Sequence, residues 1–165
     1  MNAAQLIATV GGVGYLRPAP GTWGSLAALP LAWLIHQAGG FPALALATLA
    51  AFLGGLWATG VMTAGRDDHD PSEIVIDEVA GQFLALWAIS LPAWLHGLDI
   101  SVLWPGWVSA FVLFRLFDIT KPGWVGRADR RGDPMGVMLD DIIAGAFAAI
   151  GTALLAGLSH GVLGL

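Results

Sequence analysis

Three short stretches of this chain set acids and cations at the borders of long apolar runs. The first reads Asp70-Pro71-Ser72-Glu73-Ile74-Val75-Ile76-Asp77-Glu78 and passes directly into Val79-Ala80-Gly81-Gln82. One carboxylate at a helix entry is explained by the positive end of the helix, which an acid caps or complements. The adjacent pair Asp77 and Glu78, with apolar residues on both sides, goes beyond that explanation, because ionisable groups near membrane depth are costly and mark function. Glu78 shares a helix face with Gly81 and Gln82, so that face holds a close neighbour or a polar site.

The second stretch is Arg115-Leu116-Phe117-Asp118-Ile119-Thr120-Lys121-Pro122. Arg115 and Asp118, three apart, meet on one helix face. Two readings fit: a structural ion pair with a snorkelling Lys121 and a proline stop, or a metal-binding carboxylate with two cations for phosphate oxygens. The third, Gly132-Asp133-Pro134-Met135-Gly136-Val137-Met138-Leu139-Asp140-Asp141, leads into Ile142 and repeats the logic of the first. Neighbouring helical side chains point about 100° apart, so Asp140 and Asp141 have different tasks, one as a metal ligand and one as its partner. Capping alone strains to explain a second such pair.

A fourth segment runs from Gly11-Gly12-Val13-Gly14 through Arg17-Pro18-Ala19-Pro20-Gly21-Thr22-Trp23-Gly24-Ser25. Its glycines expose backbone N–H groups, and Thr22 or Ser25 can cap the next helix and help hold an anion. An ordinary turn explains the same residues, and neither a P-loop nor a dinucleotide fingerprint is present.

The chain has no cysteine, which excludes disulfides, thiolate nucleophiles and Cys-ligated zinc. Oxygen ligands without clustered histidine select a hard divalent cation, and magnesium fits best. Such an ion relieves the repulsion among converging acids, polarises a phosphoryl oxygen and acidifies an attacking water. No serine is placed as an activated nucleophile, so direct attack by water is the favoured step, with an aspartyl-phosphate route open beside it. His36 and His96 fall opposite the acids, His160 lies in the tail and His69 in a solvated loop. Asp129-Arg130-Arg131 with Arg127 reads most simply as an anchoring loop, with attraction of an anionic substrate as the alternative.

The elements that must position these groups are membrane helices. Of the 165 residues 56% are hydrophobic and 12% charged, against roughly a quarter charged in a soluble domain, so lipid must cover much of the surface. Eight tryptophans agree with interfacial rings. A helix needs about 20 apolar residues to span the hydrocarbon. Phe41–Ala64, Val79–Leu98, Ser101–Phe117 and Ile142–Leu163 meet that need, while Trp23–His36 is brief, contains Pro30 and reads as a short, tilted or re-entrant helix. The expectation is an all-α, polytopic bundle of four to five transmembrane helices in a single domain, 1–165. The N-terminus lacks the basic segment and long apolar core of a cleaved signal. Ala144-Gly145-Ala146 and Gly54-Gly55 read as close helix contacts.

Charges fall at Arg17, between Arg66 and Glu78, and between Arg115 and Asp141, with Asp99 alone elsewhere. If Trp23–His36 crosses, all seven basic residues share one face, which the positive-inside rule assigns to the cytoplasm, leaving the C-terminus on the far side. If that segment is re-entrant, Arg17 joins the others only if it enters and leaves on the cytoplasmic side. A net charge of −5 and the lack of basic runs interleaved with aromatics exclude a nucleic-acid partner.

Four segments, Pro18–Ser25, Ile74–Gln82, Phe114–Pro122 and Gly136–Gly145, resemble in order the motifs of the phosphatidylglycerophosphatase A family, across nearly the whole chain. The resemblance implies a magnesium-dependent phosphatase in the bacterial inner membrane. It would release inorganic phosphate from phosphatidylglycerophosphate to complete phosphatidylglycerol synthesis, with the phospholipid and the bilayer as its partners. It implies Asp77, Glu78, Asp118, Asp140 and Asp141 as acidic site residues, Arg115 and Lys121 as phosphate contacts, and Thr22 as an anion contact. One departure is Gly-Asp-Pro-Met before Gly136, where a more glycine-rich turn is expected. The rival from another class is a transporter or channel using intramembrane acids for cation passage, which would spread charge through the membrane instead of gathering it at one face. A CDP-alcohol phosphotransferase would carry an Asp-Gly…Ala-Arg…Gly…Asp…Asp pattern that is absent, and a non-catalytic assembly factor leaves the paired acids unexplained. The oligomeric state is not encoded in any of these features.

Overall fold

The computed structural model describes residues 1–162, with side chains described as far as Ser159; Leu163, where the last apolar run ends, and the side chain of His160 lie outside the described residues. Every regular element among them is helical: α1 (Ala3–Ala8), a 3₁₀ turn (Val13–Tyr15), α2 (Pro20–Thr63), α3 (Ile76–Ala85), α4 (Trp87–His96), a second 3₁₀ turn (Ile100–Leu103), α5 (Trp104–Thr120), α6 (Trp124–Asp129) and α7 (Pro134–Val162). Three stretches, Pro20–Thr63, Ile100–Thr120 and Pro134–Ser159, are long and apolar enough to cross a membrane, and α3 with α4 makes a fourth, bent by 45°. Leu46, Leu53, Val112 and Leu154 each stand more than half exposed on the outside of these helices, as lipid-facing side chains do.

α2 is a hairpin rather than a rod. Gly39 (φ −159°, ψ 19°) and Gly40 (φ 64°, ψ −156°) leave the helical conformation and divide it into arms 20–38 and 41–63. The backbone of Gly40 lies in a region open essentially to glycine alone, and its α-carbon packs against the indole of Trp94. A Cβ on Gly24 would meet Val75, and one on Gly55 would meet Ile76, the next residue along. In a straight helix those glycines would be about 46 Å apart, so both open ends of the hairpin lie beside the start of α3. The arms measure about 28 and 34 Å, close to the roughly 30 Å of hydrocarbon in a bilayer. The brief element expected at Trp23–His36 is thus longer. Pro20 opens it at a position where its fixed φ suits a first helical turn, and Pro30 is accommodated within the helix.

The run 79–98 also differs from one straight span, since the helix starts at Ile76 and changes direction at Leu86. The bend tucks Trp87 against the second arm of α2, where its Nε1 donates to Thr48 Oγ1 at 3.1 Å and its ring meets Phe41 edge to face at 5.3 Å.

Glycine decides how α3 crosses α7. A Cβ on Gly81 would lie 2.5 Å from the carbonyl oxygen of Asp141, and one on Gly145 would overlap the carbonyl of Gly81. Backbone therefore rests on backbone, as small residues permit between membrane helices, and the expectation for Ala144-Gly145-Ala146 holds at Gly145. α5 closes on α7 through Phe117 and Phe147, edge to face at 5.7 Å. Toward the hairpin turn, His36 Nδ1 and Ser90 Oγ are 2.7 Å apart, and Trp33 Nε1 donates to Ser101 Oγ at 3.2 Å. Asp99 caps the 3₁₀ turn at that end by accepting from Ser101 N. Connectivity leaves the remaining acids and all the basic residues at the opposite end.

Candidate active site

The first turn of α3 carries Asp77 and Glu78, and the glycine crossing one turn later draws α7 against it. Asp77, Glu78 and Asp141 consequently offer carboxylate oxygens that all lie within 4.8 Å of one another. Asp77 is 7% and Asp141 2% exposed. Glu78 Oε2 and Asp141 Oδ1 are buried with no hydrogen-bond partner. Unpaired, crowded carboxylate oxygens away from water are unfavourable, and a hard cation with an all-oxygen coordination shell would satisfy both the charge and the orphaned lone pairs. These residues fit such an ion.

Helix capping does not account for the second acid pair. α7 begins at Pro134, and Asp133 caps it, accepting from Gly136 N at 2.7 Å while pairing with Arg131 at 2.9 Å. Asp140 and Asp141 stand in the second turn, deeper than the helix start at which the sequence had set them. They point apart, as adjacent helical residues must: Asp141 joins the carboxylate cluster, while Asp140 Oδ2 takes Lys121 Nζ at 2.9 Å. Lys121 ends α5 with a left-handed backbone (φ 44°) and also pairs with Asp129. Arg115 Nη1 lies 2.6 Å from Asp118 Oδ2 and 3.4 Å from Ser25 Oγ.

The five acids named from sequence therefore divide by geometry. Three converge on one point, while Asp118 and Asp140 each hold one of the two cations expected to meet phosphate. Asp118 still neighbours Glu78 and Asp141. A cavity of about 200 Å³ opens over the cluster, lined by all five acids, by Arg115 and Lys121, by Ala19, Pro20 and Gly21 at the start of α2, and by Asp70, Ser72 and Ile74 from the loop before α3.

Thr22 is half-buried on the first turn of α2 and is not among the lining residues; its neighbour Gly21 is. Neither Thr22 nor Ser25 caps α2, whose N-cap is Ala19 without a side-chain bond, and Ser25 Oγ instead donates to Gly21 O at 2.8 Å. A Cβ on Gly21 would overlap Glu78 Oε1 and come within 3.3 Å of Arg115 Nη1, so the absent side chain is what gives those two groups their room.

Asp70, Ser72 and Gly21 line the cavity but escaped the sequence reading as site residues. Asp70 and Ser72 lie in the run that flagged Asp77, but only the folding of the 64–75 loop over the cavity reveals their place. Burial raises the carboxyl of Asp70 above the usual range, against the pull of Lys121 and with Asp129 and Asp68 adding to the rise. Burial works against the ammonium of Lys121, but its bonds to Asp129 and Asp140 outweigh it and hold the group above the ordinary lysine value. Asp129 thus stands outside the cavity lining and touches the site through Lys121. His36 is engaged with Ser90 away from the cluster, and His69 is an exposed loop residue.

Residues 6–156 match the family described as phosphatidylglycerophosphatase A. Phosphatidylglycerophosphatase A of Haemophilus influenzae is 36% identical over 91% of this chain and 86% of its own. That of Escherichia coli is 34% identical over 90% of this chain and 80% of its own. A Bacteroides thetaiotaomicron protein, provisionally named a phosphatidylinositol-3-phosphatase, is 33% identical over 88% of each chain. No solved structure matches the chain.

Proposed function

The chain belongs to the phosphatidylglycerophosphatase A family, and on that footing we propose that it cleaves the terminal phosphate from phosphatidylglycerophosphate, releasing phosphatidylglycerol and inorganic phosphate. The observation that carries the reading is the meeting of three clustered carboxylates, two of them buried, with Arg115 and Lys121 around one cavity at the charged end of an apolar bundle. A phosphomonoester is a compact dianion, and such a site matches it with two cations and room for a hard metal ion.

Magnesium is the ion proposed, with Asp77, Glu78 and Asp141 to hold it. When bound, it would polarise a phosphoryl oxygen and make water a stronger nucleophile near neutral pH. Arg115 and Lys121 receive the phosphate oxygens, and before substrate arrives Asp118 and Asp140 keep them oriented and charge-balanced inside the cavity. Binding then exchanges carboxylate contacts for phosphate contacts, which confines the terminal group without leaving a buried cation unpaired. Water attacks phosphorus, the bond to the glycerol oxygen breaks, and net transfer of one proton from that water to the departing oxygen gives the free hydroxyl of the product lipid and inorganic phosphate.

The same end of the bundle holds all seven basic residues, which supports placing the site at the cytoplasmic face of the bacterial inner membrane. Cation transport, the competing function, draws no support from this distribution, since the hydrogen bonds toward the hairpin turn join neutral groups such as His36 with Ser90 and Trp33 with Ser101. The name of the Bacteroides relative supports one variation, a phosphorylated inositol in place of glycerol phosphate. The test is phosphate release by the purified protein from phosphatidylglycerophosphate and, in parallel, from phosphatidylinositol 3-phosphate, each with magnesium and with chelator. Release from the first lipid only, abolished by chelator, is the expected result; no release from it under any condition ends the reading.

A further inference from the structure

We propose that Arg17 forms a second anion subsite at the rim of the cavity, taking the inner phosphodiester of the substrate and so selecting lipids that carry two phosphates joined by a polyol. This rests on reading the cavity as the site of a lipid phosphomonoester. Arg17 Nη1 donates to Ser72 Oγ at 3.2 Å, and Ser72 lines the cavity. Ala19, Pro20 and Gly21, which follow directly, line it as well. The guanidinium is thereby held at the mouth, while Arg115 and Lys121 belong to the interior.

Charge distinguishes Arg17 from the other cations there. Arg66 faces Glu73, Arg115 faces Asp118, and Lys121 faces Asp129 and Asp140. Arg17 is exposed and, among the described residues, meets no carboxylate; its one side-chain partner is a neutral hydroxyl. A guanidinium so placed keeps N–H donors free in the fork geometry that suits a phosphate diester.

Depth and size agree. Tyr15, Leu16 and Trp23, near it in sequence, are 50, 48 and 41% exposed, a mixture of aromatic and apolar groups with a cation that belongs at head-group level. A cavity of about 200 Å³ is on the scale of a glycerol phosphate and far below a diacyl lipid. With the terminal phosphate inside, the next phosphate of the head group falls at the rim where Arg17 stands. A lipid with a single phosphate directly on its diacylglycerol, such as phosphatidic acid, has nothing to offer that position.

The experiment is steady-state phosphate release from phosphatidylglycerophosphate in mixed micelles by the full-length protein and its R17Q, R17K and R127Q variants, with phosphatidic acid titrated as a competing ligand. Loss of one charge-assisted contact is expected to raise KM about tenfold with kcat within about twofold in R17Q. R17K should recover most of the loss, the inhibition constant for phosphatidic acid should not move, and R127Q, which removes an exposed cation elsewhere, should behave as the parent. An unchanged KM in R17Q, or equal weakening toward both lipids, overturns the subsite while leaving the phosphatase reading intact. Absence of turnover by the parent protein overturns the phosphatase reading itself, and the subsite with it.

Discussion

Gly21 lies so close to the carboxylate of Glu78 that a methyl group in its place would overlap Oε1, although the two residues belong to different helices. The clash is with the movable end of a side chain, so G21A can fold by displacing Glu78 and crowding Arg115. Alanine is moreover the better helix former by about 1 kcal/mol. The expected outcome is a melting temperature in detergent equal to or above that of the parent, with activity lower by about a hundredfold, as misplaced catalytic groups cause. Full activity in G21A would show that Glu78 is not held in its working position.

At the crossing of α3 and α7 the obstacle is backbone, which cannot step aside. G145A would press a methyl group onto the carbonyl of Gly81, separating the helices that carry Glu78 and Asp141. Stability should fall by about 1–3 kcal/mol, the usual range for overpacking, and phosphate release should fall with it. Thermal unfolding followed by circular dichroism, measured beside turnover, would expose a variant that loses only one of the two.

Neutralising the cluster should have opposite effects on stability and on catalysis. In chelator, D77N, E78Q or D141N each relieves the crowding of three carboxyl groups, of which Asp77 and Asp141 are buried and Glu78 half-buried, so each should melt at a higher temperature than the parent. Added magnesium should raise the melting point of the parent by several degrees and that of the variants little, while all three lose phosphatase turnover. A parent protein indifferent to divalent cations would remove the metal from the account.

Lys121 supplies the pH dependence. Its ammonium is held above the ordinary lysine value by Asp129 and Asp140 despite burial, so its stabilising contribution is complete below about pH 10.4, the unfolded value. It is lost as pH rises through the elevated folded value. K121Q should therefore be less stable than the parent by a constant margin between pH 7 and pH 9, and the margin should shrink only under strongly alkaline conditions. Denaturation midpoints across that range test it. Substrate KM should rise in the same variant, since Lys121 lines the cavity.

Adjacent acids next to apolar runs made Asp77, Glu78, Asp140 and Asp141 legible in the sequence, because few structural tasks need charge there. The 100° between helical neighbours also separated Asp140 from Asp141 in advance. What one-dimensional reading could not supply was any relation that depends on a third element. Gly39 and Gly40 mark a break in α2, but its return path is defined by Val75 and Ile76 meeting Gly24 and Gly55. Gly21 stands in a segment whose sequence reads as an ordinary turn or an anion loop, and neither reading shows that its missing side chain leaves space for Glu78. Nothing in the local sequence around Leu86 announces the bend, since the contacts of Trp87 with Thr48 and Phe41 come from the hairpin.

Because Asp141 is carried by α7, the charge cluster has no counterpart in a nascent chain that stops before that helix. Asp77 and Glu78 emerge long before it, yet alone they cannot assemble the three-carboxylate centre. The three-carboxylate centre is thus complete only once α7 has seated beside α3.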